Sequence, residues 1–185
     1  MSCRIVLSLM AFVGAMSAMA LTYARTVAQV EIIEHGLYTA EITSTERMPN
    51  GVERNLLRNI CHVVTTDKVP ARLNVMFGFR FRTHGTPAGE VVELTRVTRY
   101  PVPMKPSPAL GAVREYGHDI LVQLGTVSYI GYGFDHDWEL QTGPWTLEIW
   151  QGRRKLAEKI FEVVDRGERP APPADDSNCF QLSSF

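Results

Sequence analysis

The stretch Gly133–Trp145, GFDHDWELQTGPW, places Asp135, Asp137 and Glu139 at alternate positions with His136 among them. In an extended strand these carboxylates would share one face at intervals of about 6.5–7 Å, near enough to hold one cation. Calcium asks for more: six to eight oxygens, and a glycine where the loop turns sharply. No bidentate acid follows Glu139 until Glu148. A plainer reading fits every residue. Asp135 and Asp137 flank a turn, Trp138 and Leu140 bury, and Gly143-Pro144 opens a β-hairpin. Asp135, His136, Asp137 and Glu139 are therefore the candidate metal ligands, and the lead-in to a hairpin is their expected role.

Other reactive groups are scattered. His35, His62, His84, His118 and His136 form no HxH or HxxxH pair, and no serine stands in a GxSxG elbow. Cys61 as a nucleophile would need a histidine nearby, and His62 points to the opposite face of the same strand. No catalytic residue, cofactor site or firm metal site is assigned. The stretch Tyr100–Gly111, YPVPMKPSPALG, carries four prolines and reads as a long extended loop, not a central strand. Unstructured loops beyond about 12–15 residues are commonly functional. Met104, Arg114, Tyr116 and His118 on and beside it are the candidate contact surface.

The elements that must position these residues are strands. Helical spacing is nearly absent, whereas β-branched and aromatic runs recur between Gly, Pro, Asn and Asp. Runs fall at 28–42, with Gly36 marking a bulge or kink, and at 59–66, 72–82, 90–99, 119–124, 127–134, 145–150 and 156–164. Val75, Phe77, Phe79 and Phe81 share one face; so do Trp145, Leu147 and Ile149, with Phe161 and Val163 on the return strand. A bulge near Lys159 reconciles the parities of that return strand. Eight or nine short strands at this spacing predict an all-β, immunoglobulin-like antiparallel β-sandwich, with a small β-barrel as the alternative.

The chain of 185 residues is 45% hydrophobic and 21% charged, enough for one domain with a core. A net charge of −1 gives no basic excess for nucleic acid. Arg4, the apolar run Ile5–Met16 and Ala18-Met19-Ala20, or Thr22-Tyr23-Ala24, have the layout of a cleaved signal peptide over 1–24. The rival reading is an uncleaved anchor, but the run falls short of the ~20 residues a span needs. The sandwich is expected over 25–165 and a Pro/Asp-rich tail over 166–185. Cleavage leaves Cys61 and Cys179, and an even number in an oxidising compartment predicts a bridge. Closing so long a loop contributes roughly 4–5 kcal/mol in the chain-entropy model.

Ordered signals connect these runs: His35-Gly36-Leu37-Tyr38, Phe77-Gly78-Phe79-x-Phe81, Tyr100-Pro101, and Glu139-Leu140-x-x-Gly143-x-Trp145-x-Leu147-x-Ile149 followed by Gly152, Leu156 and Phe161-x-Val163. Over roughly 30–164 the chain resembles the secreted bacterial family known as domain of unknown function 3859. The resemblance implies export and a β-sandwich, and brings no catalytic residues. The expected function is a non-enzymatic, periplasmic or secreted module that binds a protein or small ligand in the bacterial envelope. It should have no nucleic-acid partner and no integral membrane segment after cleavage. Two alternatives remain: a metal-binding protein or enzyme with a site assembled from distant residues, and a chaperone-like sandwich offering an edge strand.

Overall fold

The computed structural model describes residues 25–165 and 179–180. The expected signal peptide and nearly all of the tail lie outside these residues. Ten strands run in chain order: β1 (Thr26–Arg47), β2 (Glu53–Val64), β3 (Lys68–Pro70), β4 (Met76–Thr86), β5 (Val91–Met104), β6 (Val113–Gln123), β7 (Val127–Gly133), β8 (Gly143–Gln151), β9 (Arg154–Val164) and β10 (Cys179–Phe180). One 3₁₀ turn, Asp137–Glu139, joins β7 to β8.

The strands form two five-stranded sheets, β10-β2-β1-β4-β7 and β3-β9-β8-β5-β6. They do not close on one another, so the molecule is a sandwich and not the alternative barrel. All strand pairings are antiparallel except β3–β9. The core follows the period-two pattern of the sequence. Phe77, Phe79 and Phe81 from β4 meet Trp145, Leu147 and Ile149 from β8 and Phe161 from β9, all at 0% exposure. Trp145 meets Phe77 edge-on at 5.9 Å, and Phe161 meets Phe77 at 5.1 Å.

Several elements depart from the sequence expectation. The first strand is not confined to 28–42 but extends over 22 residues. Its first half pairs with β4 up to Tyr38, and its second half pairs only with β2, Glu41 to Arg47 against Arg58 to Glu53. Beyond the sheet, β1 and β2 therefore continue as a two-stranded arm. Gly36 is at the bend: its φ is +142°, and a Cβ there would lie 1.9 Å from the Val64 carbonyl oxygen. The irregular pairing with β2 begins just after it, between Leu37 and Tyr38.

The proline segment is also different. Residues 100–104 are the end of β5, a strand with neighbours on both sides, and not a loop. The prolines are tolerated because the ladder has already stopped. Pairing with β8 ends at Arg99↔Thr146, and pairing with β6 skips from Arg99 to Met104. Pro101 and Pro103 thus withhold no N–H that a partner needs. In β9 the extra residue is Leu156, since Ile149 pairs with Ala157 and Trp150 with Lys155; the bulge is not near Lys159. Ile160 then points outward and Phe161 inward.

Cys61 and Cys179 are joined by a disulfide and pair directly across β2 and β10. Phe180, next along, lies under the Arg80 guanidinium at 4.3 Å and packs with Tyr38, Ile60 and Tyr129 in a small second cluster. Among the described residues no helix is long and apolar enough to cross a membrane.

Candidate functional site

The acidic run around Asp135 does not form the one-faced ladder imagined for a strand. Asp137 to Glu139 is a 3₁₀ turn, which sends the three carboxylates in different directions. Asp135 accepts a hydrogen bond from Asn55 Nδ2 at 3.0 Å, and Asp137 is exposed. Glu139 folds inward to 6% exposure. Its carboxylate accepts the Tyr132 hydroxyl at 2.7 Å and the backbone N–H groups of Asp135 and His136 at 2.6 and 2.7 Å. Burial pushes the Glu139 pKa up, against the opposing pull of these hydrogen bonds. Trp138 does not bury: it is 40% exposed, and His136 stacks on it at 5.9 Å. Leu140 is partly buried against the core.

The histidines form no cluster, although a ring nitrogen of His62 lies 3.2 Å from the His35 carbonyl oxygen. His35 pairs with Asp67 at 3.0 Å, His62 lies 3.7 Å from Glu34, and His84 pairs with Glu31 at 3.1 Å. Among the described residues no three of His, Cys, Asp and Glu are grouped to hold a metal. Cys61 is consumed by its disulfide.

What the fold does build is a groove of about 1910 Å³. The arm made by β1 and β2 forms one wall. At its tip Asn50 donates from Nδ2 to the Tyr116 hydroxyl on β6 at 3.0 Å, while the Ser107 hydroxyl donates to the Asn50 carbonyl at 2.8 Å. Asn55 ties its flank to Asp135. The arm is thus fastened to the opposite sheet and to the turn after β7. The other walls are β6 and β7, the last strands of their sheets on this side, together with the end of β5.

The lining is mainly apolar. Seven large hydrophobic side chains are exposed in the described structure: Ile33, Ile42, Val64, Val102, Leu121, Trp138 and Ile160. Four of these, Ile42, Val102, Leu121 and Trp138, line the groove. Sets of exposed apolar groups gathered in one concavity mark binding sites more often than the same groups scattered.

One charge lies within this setting. Arg96 is on the inward parity of β5, in series with Val92, Leu94, Thr98 and Tyr100, all of which are buried. Its Nη2 donates to the Gly131 carbonyl of β7 at 2.5 Å. Among the described residues no carboxylate comes within ion-pairing distance of it. Burial pulls the guanidinium below its usual pKa, and the groups that act on it electrostatically are Tyr129, Tyr100, Tyr132 and a second cation, Arg54. Arg54 is paired with Glu46 at 2.7 Å, but its Nε is buried without a partner. His118, facing the same space, is pushed down to about 4 by burial and then by Arg96 and Arg54. The inner end of the groove is therefore positive.

Of the expected contact residues, Tyr116 and His118 line this groove. Met104 lines it too but belongs to the core at 4% exposure, and Arg114 is exposed outside the lining. Asp135, His136 and Glu139 reach the rim from the other candidate set. The residues that sequence reasoning passed over are Arg96 and the arm. The signal for Arg96 was present: a charge continuing an apolar alternation.

A family model, domain of unknown function 3859, matches residues 26–163. The chain belongs to that family. The match spans every strand from β1 through nearly all of β9, and so includes the arm and the groove. Among solved structures, the family member is similar to an immunoglobulin-like protein from Pseudomonas aeruginosa. The identity is 27% and the TM-score 0.52, over 74% of this chain and 98% of that one. The immunoglobulin-like sandwich expected from strand spacing is thereby shown. A likeness to a β-D-glucoside glucohydrolase from Trichoderma reesei has 9% identity and a TM-score of 0.32, over 76% of this chain and 19% of that chain. It is too slight to argue from. No curated protein matches the sequence.

Proposed function

We propose that the chain is a non-enzymatic exported binding module of the cell envelope, and that its ligand occupies the groove under the β1–β2 arm. The observation that carries this reading is the gathering of Ile42, Val102, Leu121 and Trp138 in one concavity. Water-exposed apolar area is costly, at about 25 cal/mol per Å², and a fold that concentrates it gains by covering it. Two of the acids nearby are committed to holding structure: Glu139 to Tyr132 and two backbone amides, Asp135 to Asn55. That is an inventory for recognition more than for proton transfer. Export is supported by the leader-like composition of 1–24 and by the Cys61–Cys179 disulfide, a bond that persists in oxidising compartments.

The test is native mass spectrometry of protein isolated from the envelope of its own host, beside the variant Leu121→Arg. Leu121 is 55% exposed, so a long charged side chain there obstructs the groove without disturbing the core. A bound mass present on the wild type and missing from a folded Leu121→Arg supports the groove as the site. The same mass on both proteins overturns it.

A further inference from the structure

Resting on the groove as the binding site, we infer that its occupant is a single-chain amphiphile with one acidic head group. The acid would sit against Arg96 and the apolar body along Ile42, Leu57, Val102 and Leu121.

The size of the groove argues for the body. At about 1910 Å³ it exceeds the 300–1,000 Å³ of ordinary small-molecule sites, so an alkyl chain fits within it. Ile42, Leu57, Val102 and Leu121 supply apolar area on its wall, interspersed with polar side chains such as Asn55, Ser107 and Asp119.

The charges argue for the head. Arg47, Arg54 and Arg58 on the arm are each matched by an acid, Glu53, Glu46 and Glu41, at 2.6, 2.7 and 2.9 Å. Lys105 stands exposed on the outer loop. Asp119 accepts a hydrogen bond from the Thr95 hydroxyl, and Glu139 is satisfied within its turn. Arg96 alone is a cation set inside the apolar alternation of a strand with no acid beside it. Burying a charge in this way is costly unless it is paired. It is paired in part by the Gly131 carbonyl, which uses one of the five N–H groups of a guanidinium. The remaining donors match the two oxygens of a carboxylate in a fork. A single unmatched cation calls for a single negative charge, and the nearby Asp119, Asp135 and Glu139 oppose a more highly charged head. Tyr100, Tyr129 and Tyr132 stand close enough to Arg96 to act on it electrostatically, and all three are at least partly buried.

The experiment compares three probes of equal chain length by calorimetry: decanoate, decan-1-ol and decyl phosphate, on the full mature chain. Decanoate should bind one molecule per chain, at least about tenfold more tightly than the alcohol, the worth of a charge-assisted hydrogen bond. The phosphate should bind no more tightly than the carboxylate. Arg96→Met should weaken decanoate by at least about tenfold while leaving decan-1-ol unchanged. Equal binding of acid and alcohol overturns the acidic head, and this comparison needs no variant. If both probes then vanish in Leu121→Arg, the groove survives as a site and only the assignment of its ligand falls. Tighter binding of the phosphate, or binding of an apolar peptide with a free C-terminus where decanoate does not bind, also overturns the inference.

Discussion

Glu148 and Arg96 occupy adjoining strands of one sheet, a single register step apart: Glu148 pairs with Val97, and Arg96 with Ile149. One faces outward from the sheet and the other inward. Both are charged groups that the fold withdraws from water, and they are treated in opposite ways. The Glu148 side chain is 2% exposed and fully enclosed by donors. Arg99 Nε and Lys155 Nζ each reach Oε1 at 3.0 Å, and Trp150 Nε1 donates to Oε2 at 2.8 Å. Arg99 and Lys155 continue the network to Glu115 and Glu158. Arg96 has one carbonyl and no acid. A complete network rigidifies the place where it occurs. An incomplete one, placed at the wall of a groove, leaves a valence for something else. The contrast separates a charge that serves the fold from one that the fold carries for another purpose.

The largest effect that would break this contrast is expected at Glu148. Glu148→Ala should lower stability by about 2–4 kcal/mol, the loss of three hydrogen bonds to a charged group, moderated because Arg99 and Lys155 can relax into water. Urea unfolding measures it. The pH dependence fixes the cause. Burial alone raises the Glu148 pKa, but hydrogen bonds from Arg99, Trp150 and Lys155 outweigh it and hold the group below the usual carboxylate range. A depressed folded-state value stabilises the protein above the unfolded value of about 4.3 and ceases to do so as pH falls through the folded value. Wild type and Glu148→Ala should therefore begin to converge as pH falls below about 4.3 and come closest below the folded-state value. A gap that stays constant into acid would mean that Glu148 acts by packing and not by charge.

Arg96 should behave in the opposite manner. Arg96→Met keeps the side chain's length and removes the unmatched charge, so stability should hold within about 1 kcal/mol or rise. A loss of more than about 2 kcal/mol would place Arg96 with Glu148 as a structural group. The smallest effect is local. In Arg96→Met, the His118 pKa should rise from about 4 but remain below the ordinary histidine value, because burial, its larger cause, persists. Imidazole chemical shifts followed by NMR across pH report this directly; no shift would mean that Arg96 and His118 do not face the same space.

How far the sequence leads depends on the range of the interaction. The phenylalanines of β4 and the β8–β9 hairpin were readable because alternation and a turn glycine act within a few residues; Gly152 indeed takes φ +57°. The disulfide is expected from the even number of cysteines outside the leader-like segment. The arm was not. Thr43, Thr45 and Glu46 show no buried face, since a ribbon beyond the sheet has no core to alternate against. Its turn, Pro49-Asn50-Gly51, carries a turn signal in the sequence, but nothing nearby marks the strands it joins as an arm. The inward turn of Glu139 was missed for a different reason. Three acids at alternate positions were weighed as a strand, whereas an acid three residues beyond His136 also fits the spacing of a helix-start cap. Arg96 continues the alternation of Val92 and Leu94, but whether a partner awaited it across the sandwich is a property of β7, far along the chain.

The arm also has a meaning for how the molecule lives among its own copies. Sandwiches end in strand edges, and an open edge is a template for another chain. Here one flank is closed by brief strands: β10, held by a disulfide, beside β2, and β3, which ends in Pro70, beside β9. On the other flank β6 and β7 end their sheets among the described residues, and it is across this flank that the arm is fastened by Asn50 and Asn55. The segment that walls the groove thus also stands beside the two strands whose edges are open.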